Sequence, residues 1–177
     1  MTPTRIIILG TKGMGMDIAD TIACLAAQGA AVEVRGFLDD DTSTHGGSVG
    51  GHPVLGSLAD AGKFEDCVFV NGIGTARSRH LKPDLIARTG IPPERWLTVV
   101  HPRAFVSPSA RVGRGSVLLA NVAVCADAVV GDHVMVLPNS VISHDTVVED
   151  YSTIASGVCI SGRVLIRRGA YLGSNSS

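Results

Sequence analysis

The chain has 177 residues, room for one ordinary domain or two small ones. Fifteen basic residues against sixteen acidic ones leave a net charge of −1, so no basic field exists to neutralise nucleic-acid phosphates or hold an anionic membrane. Hydrophobic residues make up 45% of the chain and aromatics only 4%, so the core must be built from Val, Ile, Leu and Ala.

The opening MTPTRIIILG is too short and too interrupted for a signal peptide, and no later apolar run approaches a membrane span. RIIIL predicts a short buried strand and GTKGMG a glycine turn. MDIADTIACLAAQG then places Ile18, Ile22 and Leu25 on one helical face, with Gly29 as the stop. AAVEVRGFLDDD predicts a second strand that ends in acids. CVFVNGIGTARSR predicts a third strand running into another glycine turn, HLKPDLIART a helix, and GIPPERWLTVVHP a connector. Alternating strand and helix implies a parallel sheet with crossover helices, an α/β domain over residues 1–98. The four cysteines (Cys24, Cys67, Cys125, Cys159) form no CxxC pair and read as reduced thiols of a cytoplasmic protein.

From Val106 the pattern changes to blocks of six. Each of twelve consecutive blocks starts with Val, Ile or Leu: 106, 112, 118 and so on to Leu172. The fifth place of every block holds Ala, Ser, Thr or Val. Six is not close to a multiple of the helical 3.6, but it suits a short strand and a corner, with the aliphatic residue inside and Gly, Asp, Asn or Ser turning the chain. This resembles the hexapeptide-repeat left-handed parallel β-helix, in which three hexads make one triangular coil; the left hand comes from the resemblance. Residues 99–177 are therefore expected to form an all-β column of four coils, roughly 19 Å tall at about 4.8 Å per coil.

With eighteen residues per coil, Asn121 stacks under Asn139 and, past Gly157, under Asn175, an asparagine ladder at one corner. His144 falls at the third place of its hexad, near a corner, with Ala126 below it and Gly162 above. The imidazole is expected to face outward with open space around it. A solvated corner histidine is the plain reading of this position; a proton acceptor for chemistry is the other.

Over nearly its whole length the chain is similar to the sialic acid O-acetyltransferase / bacillosamine-pathway acetyltransferase family of sugar acyltransferases. The stretches that carry the resemblance are IIILGTKGMG, GFLDDD, NGIGTARSR, VVHPRAFVSPSARVG, VISHDTVVEDYSTIASGV and ISGRV. The resemblance implies a Rossmann-like nucleotide-sugar domain followed by a β-helix that binds acetyl-CoA, in a cytoplasmic homotrimer with shared sites and no metal. It makes His144 the general base, Asp145 its orienting acid, and the Gly162 N–H a contact for the coenzyme. An imidazole suits proton abstraction because its ordinary pKa is about 6.5. In the first domain it assigns Gly10, Gly13 and Gly15 to a phosphate cradle, Asp39 and Asp40 to the base or ribose, and Gly74 with Arg77 or Arg79 to the diphosphate. A solvated acidic turn and a solvated helix start are the alternative readings of those acids and arginines.

The chain departs from the family at Met14, Leu137, Pro138 and Thr153, positions that tune substrate and coenzyme contacts, so an amine acceptor does not follow automatically. It also stops at Ser177, inside a well-formed hexad, where the family runs on; a truncated chain or an incomplete coenzyme groove is the expectation. A nucleotide-sugar binder or scaffold without transfer is therefore the competing function. The glycine spacing is Gly-x-x-Gly-x-Gly, which argues against an NAD-linked oxidoreductase. A metal-dependent carbonic anhydrase on the same column would need His101, His133 and His144 to converge, and their hexad places differ.

Overall fold

The computed structural model describes residues 2–74 and 80–177. Six β-strands and two helices come first: β1 (Thr4–Leu9), α1 (Gly13–Ala27), β2 (Val32–Leu38), β3 (Ser48–Val49), β4 (His52–Gly56), β5 (Cys67–Asn71), α2 (Lys82–Arg88) and β6 (Val99–Val100). β1 lies between β2 and β5 in a sheet ordered β3-β4-β2-β1-β5, parallel to both. Its run of Ile and Leu is buried on both sides, as a strand covered on two faces requires. Ile6 and Ile8 pack with Ile18 and Ile22 of α1, whereas Ile7 and Leu9 pack with Phe69, Ile86 and Trp96 on the other face.

Two features differ from the sequence expectation. α1 begins at Gly13, inside the presumed glycine turn, so only Gly10 keeps a turn conformation there, with φ of 96°. A short antiparallel hairpin, β3–β4, turns through Gly50 and Gly51, whose φ values of 55° and 82° fit a two-residue turn that needs both central residues left-handed. The Gly-Gly pair between Val49 and His52 is the signal that marks it.

From β6 onward the chain winds as a left-handed β-helix of two-residue strands on three faces. Partners lie eighteen residues apart: Val106 against Val124, Val124 against Ile142, Ile142 against Ile160. All twelve first-place aliphatics of the hexads enter one core, which also takes Val100 and Ala104. The repeat thus begins one hexad before Val106, in the segment read as a connector. Fifth-place hydroxyls do more than fit a tight interior. Ser116, Ser140, Thr146 and Ser152 each donate to a carbonyl fifteen residues on, at 2.7–3.0 Å, so no buried hydroxyl among them is left unsatisfied.

From the second hexad on, the corners sit at the fourth place, in the left-handed region. Asn121, Asp127, Asn139, Asp145 and Asn175 suit it; His133, Tyr151 and Arg163 are bulkier and hold it against a local cost of about 1 kcal/mol each. The Asn121 amide donates to Asn139 at 2.9 Å, the ladder expected from the spacing. His133 is held by aromatic packing instead, stacked on Tyr151 and edge-on to Trp96. One face of the column is covered by the first domain. The outward residues Val99, Val117 and Met135 are 0–1% exposed and belong to the same core as α1 and β1. No helix among the described residues is long and apolar enough to cross a membrane.

Burial pushes the His133 pKa down to about 4, against attraction from Asp132 and Asp150 and with repulsion from Lys82. Between pH 6.5 and 4 the unfolded chain binds this proton and the folded chain does not, so stability falls as pH falls through that window, by on the order of 3 kcal/mol in all. Urea unfolding at pH 7 and pH 4 checks this. The drop is expected to be smaller by about that amount in His133→Asn, since asparagine already holds the same corner conformation elsewhere in the column. An equal drop in both proteins removes His133 as the cause.

Candidate active site

His144 stands on the corner between the two uncovered faces, on the far side of the column from the first domain. Its Nδ1 lies 2.8 Å from Oδ2 of Asp145. A carboxylate only accepts, so Nδ1 donates to it, and in the neutral ring Nε2 keeps its lone pair. Asp145 can reach the ring because it occupies the left-handed corner itself, with φ of 57°. Arg163, one coil higher, approaches the same carboxylate at 3.9 Å.

Gly162 lies directly over the imidazole. A Cβ there would sit 2.7 Å from both Nε2 and Cε1, so glycine is the only residue that leaves the ring in place. Its N–H makes no hydrogen bond among the described residues. The corner therefore presents an oriented imidazole nitrogen and an unused amide donor side by side, the pair that acyl transfer requires of a base and an oxyanion partner. Gly162→Ala has no backbone penalty to meet and is expected to leave Tm close to wild type. It should lower kcat on the order of tenfold or more by tilting the ring. Unchanged kcat in a folded Gly162→Ala protein would show that the ring position does not matter.

A second feature is a cleft of about 510 Å³ between the first domain and the covered side of the column. Gly10, Gly13, Asp39, Asp40 and Gly74 line it from the first domain, with Lys12 and Met14; Leu137, Thr153 and Tyr171 line it from the column. Gly15 lies behind the wall, packed so closely on the Gly10 carbonyl that a side chain has no room. Asp39 accepts from the Thr11 hydroxyl at 2.6 Å and from the Thr11 and Asp41 amides at 2.8 and 2.9 Å. Burial alone pushes the Asp39 carboxyl up, but these hydrogen bonds outweigh it and hold the pKa below the ordinary value. Asp40 accepts from the Leu58 amide at 3.0 Å. Arg77 and Arg79 lie outside the described residues.

The cleft and the His144 corner do not meet within one chain. Residues 137, 153 and 171 reach the cleft from the covered face, and the column stands between them and His144. Sequence reasoning singled out Met14, Leu137, Pro138 and Thr153 as departures; Met14, Leu137 and Thr153 prove to be cleft walls, and Pro138 does not line the cleft. It missed Lys12 and Tyr171. Tyr171 follows Met135 and Thr153 at eighteen-residue spacing on that face, which is the signal that finds it.

An α/β domain joined to a hexapeptide column with a corner His-Asp pair defines a bacterial-type hexapeptide transferase. Residues 127–162 match the bacterial transferase hexapeptide (six repeats) family and residues 5–82 match the PglD N-terminal domain. The acetyltransferase domain of PglB from Neisseria gonorrhoeae is 30% identical, with a TM-score of 0.81 over 97% of this chain and 80% of that one. The same domain in complex with acetyl coenzyme A aligns at 27% identity and a TM-score of 0.69, over 97% of this chain and 86% of that one. PerB from Caulobacter crescentus, in complex with CoA and GDP-perosamine, shares the fold at 21% identity and a TM-score of 0.61, over 97% and 89% of the two chains. No curated protein sequence matches the chain. The chain belongs to the family of hexapeptide-repeat acetyltransferases that carry a PglD N-terminal domain.

Proposed function

We propose that this protein transfers the acetyl group of acetyl-CoA to a hydroxyl or amine of a nucleotide-linked sugar, with His144 as general base. The observation that carries the reading is the corner itself: Nδ1 clamped by Asp145 at 2.8 Å, Nε2 free, and Gly162 leaving the ring's edge open. Nε2 takes the proton of the acceptor O–H or N–H as that atom attacks the thioester carbonyl. The C–S bond then breaks, and the imidazolium returns its proton to the departing thiolate. The Gly162 N–H is the donor for the thioester oxygen or the coenzyme. No covalent acyl-enzyme is needed. Acetyl-CoA is a co-substrate here, and the PglB and PerB complexes with acetyl coenzyme A and CoA support that role.

In this reading residues 1–98 hold the nucleotide-sugar and residues 99–177 carry acyl transfer. Gly10 and Gly13 approach the phosphates, Asp39 and Asp40 the nucleoside, and Gly74 with Arg77 or Arg79 the diphosphate end. Gly15 serves by letting α1 pack close. The protein is a cytoplasmic homotrimer, where both substrate pools are found. Its contact surfaces are the uncovered faces on either side of His144, where Phe105 is 60%, Leu165 46% and Val147 36% exposed.

The test is thiol release from acetyl-CoA in the presence of a panel of UDP- and GDP-sugars. Release with at least one sugar, and its acetylation, is the expected result. Met14 and Leu137 make part of the cleft apolar, which favours the competing reading, a binder without transfer. That protein would give calorimetric heat with a nucleotide-sugar and none with acetyl-CoA.

A further inference from the structure

Lys82 is the first residue of α2, and its side chain is 0% exposed. Its tail runs between α2 and the column, and Nζ ends among three oxygens: the His133 carbonyl at 3.1 Å, the Thr153 hydroxyl at 3.2 Å and the Ser152 carbonyl at 3.4 Å. An ammonium has three N–H groups, so these three acceptors saturate it. No carboxylate lies within salt-bridge distance of it among the described residues. Burial alone pushes its pKa down to about 7, so this group is costly to keep and calls for a function.

The three acceptors are not equivalent. Two are carbonyls, which can only accept. The third is a hydroxyl, and accepting from Lys82 turns its own proton away from Nζ. That proton has no other acceptor among the described residues. Thr153 lines the 510 Å³ cleft. Thr153 is only 1% exposed, and Gly74 packs against it: a Cβ there would lie 3.1 Å from the Thr153 Oγ1 and 3.5 Å from the Lys82 Cε, so only a glycine leaves room beside this pair at the cleft wall.

We infer that Lys82 is a positioning residue, which holds the Thr153 hydroxyl as a hydrogen-bond donor on the column side of the cleft and so selects a ligand that places an oxygen acceptor there. The inference rests on the cleft being the nucleotide-sugar site. The acceptor is an oxygen of the sugar or of the diphosphate. A polar donor buried at a wall discriminates strongly, because a ligand that offers no acceptor leaves it unpaired.

Binding of UDP-N-acetylglucosamine, GDP-mannose, UDP and GDP is measured by calorimetry on wild type, Thr153→Val, Thr153→Ser, Lys82→Met and the Lys82→Met/Thr153→Val double variant. Thr153→Val and Lys82→Met are each expected to weaken binding about tenfold, Thr153→Ser to retain it, and the double variant to lose no more than the single ones. In turnover, KM for the nucleotide-sugar rises while KM for acetyl-CoA stays unchanged. Loss confined to the sugar-bearing probes assigns the acceptor to the sugar; equal loss with UDP or GDP assigns it to the phosphates. Wild-type binding in a folded Thr153→Val protein overturns the inference, as does a double variant weakened by the product of the single effects. If wild type binds none of the four probes, the nucleotide reading of the cleft falls and takes this with it, a failure visible before any variant is made.

Discussion

His144→Ala is expected to lower kcat for acetyl transfer by about 10²- to 10⁴-fold and to leave Tm and assembly as in wild type. The size of the effect is that of a lost general base. The selectivity follows from placement. The imidazole is more than half exposed, at 57%, and touches the glycine above it and the acid beside it, not the aliphatic core. Truncation therefore opens no cavity and strands no buried partner. His133, two hexads earlier, cannot replace it, because it is packed between Trp96 and Tyr151. Asp145→Asn keeps an acceptor near Nδ1 and suits the left-handed corner, so its loss is expected to be smaller, about tenfold. Steady-state kinetics on the three proteins, with thermal melts as control, decide the matter. Turnover at the wild-type rate in a folded His144→Ala protein would end the general-base assignment.

Much of this architecture was legible because it is periodic. A β-helix repeats every eighteen residues, so the aliphatic at 106 predicts those at 124, 142 and 160, and the small residue two before each aliphatic predicts the tight interior. His144 stood out because nothing in the pattern needed it. The asparagine ladder followed from the same arithmetic. What the period did not carry is what the first domain does to the column. The outward places of one face, Val117 and Met135, are apolar, and that is a sign of cover, but Thr153 and Tyr171 on the same face read as surface until the cleft is seen. Lys82 could not be found this way at all. A lysine before a proline reads as an exposed helix start, and its burial depends on where α2 meets residues 51 to 71 positions away. The start of α1 was misplaced for a local reason. Gly13 and Gly15 look like turn residues, yet Gly15 is in the helix because its missing side chain lets α1 approach the Gly10 carbonyl.

Co-expressed His144→Ala and Gly13→Trp chains, each expected to be inactive alone, are expected to recover about a quarter of wild-type activity when mixed in equal amounts. The argument begins with Gly13, which lines the cleft with nothing within 4 Å of where its side chain would be. A tryptophan there has room for its Cβ and is expected to fill part of the cleft, and Gly13 has no left-handed φ to strain it. Each active site of the proposed trimer needs an intact cleft from one chain and an intact His144 corner from its neighbour. In a random mixture each requirement is met half the time, which sets the recovery at about one quarter of the sites. A site made within one chain allows no recovery, since every chain then carries one defect. Size-exclusion chromatography first confirms that both variants assemble, and thiol release is then compared for the mixture and for each parent. Background activity in mixed trimers would require cleft and base to act within one chain. The aliphatic column stands between Thr153 and His144, so that result would demand a route around the column that this fold does not provide.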